Sequence, residues 1–318
     1  MTDMSTTPIS SFHDKPFLTP GEREAAASLP LTERQMLIEK LLYRYPEFKR
    51  GEAFVRDHNY PVPGSDRHGR GVLGGLLGQS RAGKSVICRY YAECFSPEVS
   101  EDGECYPVVY IPASTEMTPT TAAERIFHET GARAIPRLNG PSMIRQAVLR
   151  LQRVQTRFVI IDDAQFIFFH RHRNHESQFQ SLVKQMLDLK AFNVLLVGDP
   201  ELREYVGGVP YLQGRGGFPY EVVRPIADNE EGLEHMRLLL DGIDARLPFL
   251  MKSDLGRASW AHDFHRYSGG VLGSMMNLIS RAAYKALGEG SGCILRHHLH
   301  EAVWRELPLN SRNDFFVE

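Results

Sequence analysis

At 318 residues, with 37 Lys and Arg against 39 Asp and Glu, the chain carries a formal charge of −2, so any DNA contact must be a local patch rather than a basic coat. Its composition, 42% apolar and 24% charged, excludes global disorder, and its length suffices for about two units with buried cores. No apolar run approaches the ~20 residues of a bilayer span, and the N-terminus "MTDMSTTPISSFHDKPF" lacks the basic and apolar parts of a secretion signal. The four cysteines (Cys88, Cys94, Cys105, Cys293) include no CxxC pair, so a cytoplasmic protein with reduced thiols and no membrane partner is expected.

Residues 1–30, rich in Ser, Thr and Pro without period, predict a flexible arm. In "LTERQMLIEKLLYRYPEF" the spacing predicts a helix capped by Thr32 with Gln35 three residues on, striped by Leu37, Leu41 and Tyr45, and stopped by Pro46. The polar stretch 51–70 predicts a linker, so that 31–70 form an N-terminal helix and its lead into the core. Short apolar runs then alternate with helical spacing. Strands are expected at 71–77, 106–111, 158–161, 194–197 and 220–223, and helices at 84–95, 120–130, 141–155 and 176–190. This alternation predicts an α/β unit over 71–225, a parallel sheet between helices. After Pro225 only helical segments follow (228–241, 253–267, 271–288, 296–306), predicting a smaller all-helical unit over 226–318.

The first predicted strand runs into "GQSRAGKS" (78–85), the G-x-x-x-x-G-K-[ST] pattern of a phosphate-binding loop placed between strand and helix, the context that pattern requires. Gly78 and Gly83 permit the tight turn, and the N–H groups from Gln79, Ser80, Arg81 and Ala82 onward can then face a phosphate. Lys84 would reach the β- and γ-phosphates of ATP, and the Ser85 hydroxyl would hold Mg²⁺. The positive end of the helix adds to both. "RFVIIDDAQ" supplies carboxylates at the end of a second strand: Asp162 for the Mg²⁺ shell, and Asp163 to orient or deprotonate the attacking water. "NVLLVGDPELR" brings Asp199 to the same sheet edge, a candidate contact to the water or the γ-phosphate region. In "YLQGRGGFPY" Arg215 is either a surface arginine or an arginine finger reaching a neighbouring subunit.

These residues together resemble an AAA+ ATPase, and finer phrases resemble its TniB and TnsC transposition branch. "LPLTERQMLIEKLLYRYPEF", "LLGQSRAGKSVICRYYAE", "PASTEMTPTTAAERIFHETGA", "LLVGDPELR" and "YSGGVLGSMMNLISRAA" are similar to that branch's N-terminal helix, nucleotide loop, Pro-Thr-rich segment, sensor strand and lid helix, spanning about Leu29 to Trp304. The resemblance implies an AAA+ core followed by a helical lid, and a switch that binds ATP and assembles on double-stranded DNA as a ring or helical filament. It further implies a chain that marks a target for a transposase, with a TniQ-like target selector as partner. Three positions depart from the family pattern: Asp163 stands where Glu is usual, Asp199 where Thr, Ser or Asn is usual, and no arginine follows Gly270 at the lid-helix spacing. Binding survives these departures, and hydrolysis is the property they place in question. A slowly hydrolysing scaffold, or an ATPase of another DNA process such as replication initiation or helicase loading, are the alternatives.

Two further stretches carry polar clusters. Thr118, Thr120, Thr121 and Arg125 open a predicted helix, where they are either a cap with a surface arginine or a DNA-phosphate grip, the latter implied by the resemblance. "FFHRHRNHESQ" (168–178) reads as a solvated loop or a phosphate- or subunit-contacting loop, because a metal set at His170, His172 and His175 would need tetrahedral convergence and an outer shell, and no cysteine is nearby. "RHHLH" (296–300) reads as a helix surface.

Overall fold

In the computed structural model, which describes residues 11–59, 71–100, 103–169, 173–214, 217–307 and 312–317, the first helix, α1 (Pro20–Ala27), begins at a capping box. Thr19 Oγ1 accepts the Glu22 N–H at 3.2 Å and the Glu22 carboxylate accepts the Thr19 N–H at 3.0 Å, so this part of the expected arm is helical: local capping outweighs the Ser/Thr/Pro composition. Helix α2 (Leu31–Glu39) starts behind Pro30 with no side-chain cap, which places Thr32 inside the first turn rather than at the cap. Pro46 does not stop that helix. It opens α3 (Pro46–Asn59), where a missing N–H costs nothing. Residues 51–59 are therefore helix and not linker, while 60–70 lie outside the described residues.

Strand β1 (Leu73–Leu77) leads into α4 (Lys84–Glu93). A short antiparallel hairpin, β2 (Glu98–Ser100) and β3 (Gly103–Cys105), follows; its strands are too brief to show a period in the sequence. Next come β4 (Val108–Pro112), α5 (Pro119–Glu129), α6 (Gly140–Arg153), β5 (Phe158–Asp162), α7 (Gln165–Phe168) and α8 (Arg173–Asp188). The unit closes with β6 (Asn193–Gly198), α9 (Glu201–Gly207), α10 (Pro210–Gln213) and β7 (Tyr220–Val222). Five strands form one parallel sheet in the order β4-β5-β6-β1-β7. Both faces are covered, which explains the near-continuous apolar runs of β5 and β6. Val159, Ile161, Val194 and Leu196 join Ile126, Leu151, Val183 and Met186 of the helices in one buried cluster. On alternate positions Phe158 meets His58 of α3 and Tyr91 of α4, with ring centroids 5.9 and 6.1 Å away.

Gly74 has a steric reason to be glycine in a strand: a Cβ there would lie 2.5 Å from the His58 ring. His58 Nε2 in turn lies 3.1 Å from the Val194 carbonyl, and the Asn193 amide donates to the His58 carbonyl at 2.7 Å. Helix α3 is thereby fastened to β1 and β6. Burial holds the His58 imidazole below its ordinary pKa, which favours the neutral ring.

Two compact units result, Pro46–Val223 and a second made of Met1–Tyr45 with Arg224–Glu318. The second contains α1 and α2 with α11 (Glu230–Asp244), α12 (Ala258–Ser268), α13 (Leu272–Gly288) and α14 (Arg296–Trp304). Its core includes Met236, Leu240, Phe264, Met275, Ile279 and Leu299. The buried Asp244 carboxylate accepts the N–H groups of Ser253 and Asp254 at 3.0 and 2.9 Å, fixing the turn before α12.

Candidate nucleotide-binding site

Register sets the site. Leu77 of β1 pairs with Gly198 of β6, and Ile161 of β5 pairs with Leu196, so Gly78, Asp162 and Asp199 all emerge at the carboxyl edge of the sheet. That edge is where open α/β sheets place their ligands. Gly78 is held there by its N–H donating to the Gly198 carbonyl at 3.1 Å. A Cβ on Gly78 would lie 2.5 Å from the Val223 carbonyl oxygen, so the loop leaves the strand along a path closed to a side chain. The loop then turns through positive φ at Arg81 (64°) and Gly83 (98°). Gln79, Ser80 and Arg81 are exposed, while Ala82 is buried beneath the turn. Helical hydrogen bonding begins when Val86 and Ile87 donate to the Gly83 carbonyl, both at 3.1 Å, and the N–H groups of the preceding turn precede that ladder.

Lys84 folds back across its own loop. Its ammonium donates to the Gly78 carbonyl at 2.6 Å and the Gln79 carbonyl at 2.8 Å, with only 6% of the residue exposed. Burial lowers its pKa, and the carboxylates of Asp199, Asp162 and Asp163, in that order, oppose the shift. Asp199 is therefore the carboxylate acting most strongly on Lys84, through a half-buried position just after β6. The loop lysine and all three predicted carboxylates share one electrostatic neighbourhood.

Asp162 is 2% exposed and its carboxylate is richly bonded. Oδ1 accepts the Asp163 N–H at 3.0 Å, Oδ2 accepts the Tyr110 hydroxyl in a short hydrogen bond, and the Ser85 side chain also bonds the group. Burial pushes the Asp162 carboxyl above its usual range, and the Tyr110 and Ser85 bonds pull it back. Burial and the adjacent carboxylate likewise raise the Tyr110 phenol. A serine hydroxyl joined to an aspartate carboxylate at a helix N-terminus is a hard-oxygen donor set, and such a set suits Mg²⁺. The residues present fit the metal that the sequence implies.

Tyr110 was not foreseen from the sequence, and the only signal was its place on the strand paired with β5. Tyr110→Phe is expected to leave the fold intact but remove one donor from a buried carboxylate, at a cost of about 1.5–3 kcal/mol. For a unit of this size that lowers the thermal midpoint by roughly 3–10 °C. An unchanged melting curve would show that the hydroxyl contributes nothing to Asp162.

Asp163 adopts a left-handed backbone (φ 53°) unusual for a side-chain-bearing residue, and its Oδ1 accepts the Gln165 amide at 3.1 Å. No sequence pattern marks Gln165. Arg215 lies outside the described residues, as do His170 and His172.

The expected DNA-contact segment is a helix cap. Thr121 N–H donates to Thr118 Oγ1 at 3.1 Å and Thr118 N–H to Thr121 Oγ1 at 2.7 Å. Thr120 is half-buried beside them, and Arg125 pairs with Glu129 at 2.7 Å. The structure thus gathers these side chains on one helix start, where Thr118 and Thr121 are bonded in the cap and Arg125 in an ion pair. In "RHHLH" the structure corrects the surface reading: His298 is fully buried, and its Nδ1 accepts the Leu295 N–H at 2.9 Å. Its Nε2 must then carry the proton and donate to Glu289 at 2.9 Å, which leaves no free imidazole nitrogen for a metal although His297 stands close by. Among the described residues no helix is long and apolar enough to cross a membrane, and all four cysteines are free.

Comparison with known proteins agrees with this geometry. Residues 68–206 match the family model described as AAA domain. No curated protein sequence matches the chain. Among solved structures, the Aeropyrum pernix ORC2 protein in ADPNP–ADP complexes is similar at 12% identity and a TM-score of 0.57, covering 84% of this chain and 69% of its own. The Aeropyrum pernix ORC1 protein in complex with DNA is similar at 17% identity with the same TM-score and the same coverage, 84% and 69%. Cdc6p from Pyrobaculum aerophilum is similar at 17% identity and a TM-score of 0.54, covering 84% of this chain and 72% of its own. At such identities the likeness is one of fold. The α/β unit with its phosphate loop and the helical C-terminal region have the AAA+ architecture seen in the ORC and Cdc6 structures.

Proposed function

We propose that the chain is an ATP-binding, slowly hydrolysing AAA+ ATPase that assembles on double-stranded DNA. The observation that carries this reading is the convergence of Lys84, Ser85 and Asp162 at the carboxyl edge of β1 and β5. In it Gly78 to Gly83 wrap the phosphates, Lys84 exchanges its two carbonyl partners for β- and γ-phosphate oxygens, and Asp162 and Ser85 hold the metal shell. Mg²⁺, when bound there, neutralises charge on the phosphates. Asp163 faces the attacking water and Asp199 lies beside it. Arg215 completes the site of the adjoining subunit in a ring or filament, and Thr118, Thr120, Thr121 and Arg125 meet DNA phosphates.

The finer reading is a regulator of transposition of the TniB/TnsC kind, which marks a target and recruits a transposase together with a TniQ-like selector. It rests on the sequence phrases from Leu29 to Trp304. A second reading, an ATPase of replication initiation, is favoured by the fold neighbours, one of them the Aeropyrum pernix ORC1 protein in complex with DNA. A transposase gene adjoining this one would support the first, and a replication origin would support the second.

DNA binding is expected to be ATP-dependent, tolerant of sequence and strongly weakened by salt, because a local track reads phosphates and the whole chain is near neutral. Filter binding on two unrelated duplexes, over a salt series with and without ATP, measures all three properties. Equal binding without nucleotide, or strong preference for one duplex, would sink the assembly model.

A further inference from the structure

The catalytic edge holds a polar atom that the proposed roles leave unused. Gln165, the first residue of α7, sits two positions after Asp163, and its Nε2 donates to Asp163 Oδ1 at 3.1 Å. Its carbonyl oxygen, Oε1, is buried and has no hydrogen-bond partner among the described residues. A buried amide oxygen left unpaired carries a penalty of its own, so a partner with a hydrogen to give is called for. The amide cannot simply rotate to remedy this: turning Oε1 toward Asp163 would set two acceptors face to face. The orientation is fixed by the carboxylate it serves.

The position of Oε1 is also fixed. It lies 2.2 Å from where a Cβ on Gly198 would be, so it occupies the space that the last residue of β6 leaves by lacking a side chain. Gly198 pairs with Leu77, directly before the phosphate loop, and directly precedes Asp199. Oε1 is thus set between the end of β5, which bears Asp162 and Asp163, and the end of β6, which bears Asp199. Asp163 in its left-handed turn and the amide of Gln165 are thus joined at this edge, with Oε1 packed against Gly198.

We propose that Gln165 and Asp163 form a two-acceptor seat for the attacking water, with Gln165 both orienting the Asp163 carboxylate and accepting one water hydrogen at Oε1. This rests on the ATP-hydrolysing reading of the site. The water oxygen bonds to the γ-phosphorus as the bond from phosphorus to the β–γ bridging oxygen breaks, and ADP leaves with that oxygen. One water proton passes to Asp163 and on to solvent, and the other stays with the new phosphate. With two acceptors the water's lone pair is aimed away from both, toward phosphorus. A lone carboxylate fixes only one hydrogen. Gln165 therefore supports an aspartate that is one methylene shorter than the glutamate usual at its position.

The test uses the full-length protein and Gln165→Met, which keeps length and volume but removes both amide functions, together with Gln165→Glu, which replaces the N–H donor with a charge. Mg·ADP·BeF₃⁻ mimics bound ATP, and Mg·ADP·AlF₄⁻ mimics the transfer with its apical water in place. Both variants should bind ATP and the beryllium complex within about twofold of wild type while binding the aluminium complex about tenfold to hundredfold more weakly. Single-turnover hydrolysis should fall by the same factor with KM unchanged. Unaltered affinity of both variants for the aluminium complex overturns the water seat, as does a wild type that gains no affinity from aluminium over beryllium. A wild-type protein that binds none of the three complexes instead overturns the phosphate-loop reading, and the water seat falls with it.

Discussion

Lys84→Ala is expected to weaken ATP binding about a hundredfold or more and to abolish ATP-dependent assembly on DNA. The reason lies in where the ammonium stands. It is almost fully buried, it donates to the Gly78 and Gln79 carbonyls at 2.6 and 2.8 Å, and burial has already lowered its pKa. A cation so desolvated is poised to exchange carbonyls for phosphate oxygens at little further cost, and charge-assisted bonds of this kind are worth about 1.5–3 kcal/mol each. Two such bonds lost correspond to at least about two powers of ten in affinity. Lys84→Arg should not restore binding, because a planar fork does not fit a pocket shaped around a point donor. Titration with a fluorescent ATP analogue reads the loss, and sedimentation with DNA reads the failure to assemble. A Lys84→Ala protein with wild-type affinity would sink the loop assignment. Melting curves control for the alternative that the two loop carbonyls, deprived of their donor, merely loosen α4.

Much of this arrangement is written in short sequence signals. The strand runs around Leu76, Ile160 and Leu195 are apolar because both faces of the sheet are covered, so their positions and the parallel sense of the sheet follow from pattern, whereas the order β4-β5-β6-β1-β7 does not. The phosphate loop is legible because its glycines and its Lys-Ser pair have no cheaper use at a strand-helix junction. Pattern and structure part where local chemistry competes with composition. Pro46 serves equally to stop a helix and to start one, and the packing of α3, with Phe48 edge-on to Tyr90 and His58 over Gly74, favours a start. Thr19 and Glu22 build a cap inside a stretch whose composition suggests an arm. His298 reads as surface in a run of charged neighbours, yet it is spent on a helix cap and on Glu289. Tyr110 and Gln165 were illegible for a different reason. Each acts across elements, Tyr110 from β4 onto Asp162 and Gln165 from α7 toward the end of β6, and a single sequence does not show cross-strand register.

The double aspartate yields the prediction that bears most on what the protein does with ATP. Asp163→Ala is expected to retain Mg·ATP binding, which the proposed function assigns to Lys84, Ser85 and the loop backbone, while hydrolysis drops by at least about a hundredfold. Asp163→Glu is expected to act in the opposite sense. The Asp163 carboxylate is bonded to the Gln165 amide at 3.1 Å on a left-handed turn, and that tether limits how far it can move toward a phosphate. One more methylene advances the carboxylate by about 1.5 Å, and misplacement on that scale costs roughly a hundredfold in rate. The glutamate variant should therefore hydrolyse faster in single turnover, by about tenfold because its bond to Gln165 is partly lost. It should also leave DNA sooner, because in the proposed function the assembled state lasts as long as ATP does. A wild-type protein that outlives Asp163→Glu on DNA by the ratio of their hydrolysis rates would identify the aspartate as the timer of the switch. If Asp163→Glu hydrolyses no faster, the aspartate with Gln165 already seats the water at attack distance from phosphorus, and the slow-switch reading fails. If it hydrolyses faster yet dissociates at the wild-type rate, hydrolysis and release are uncoupled, and the chain's hold on DNA depends on something other than its nucleotide.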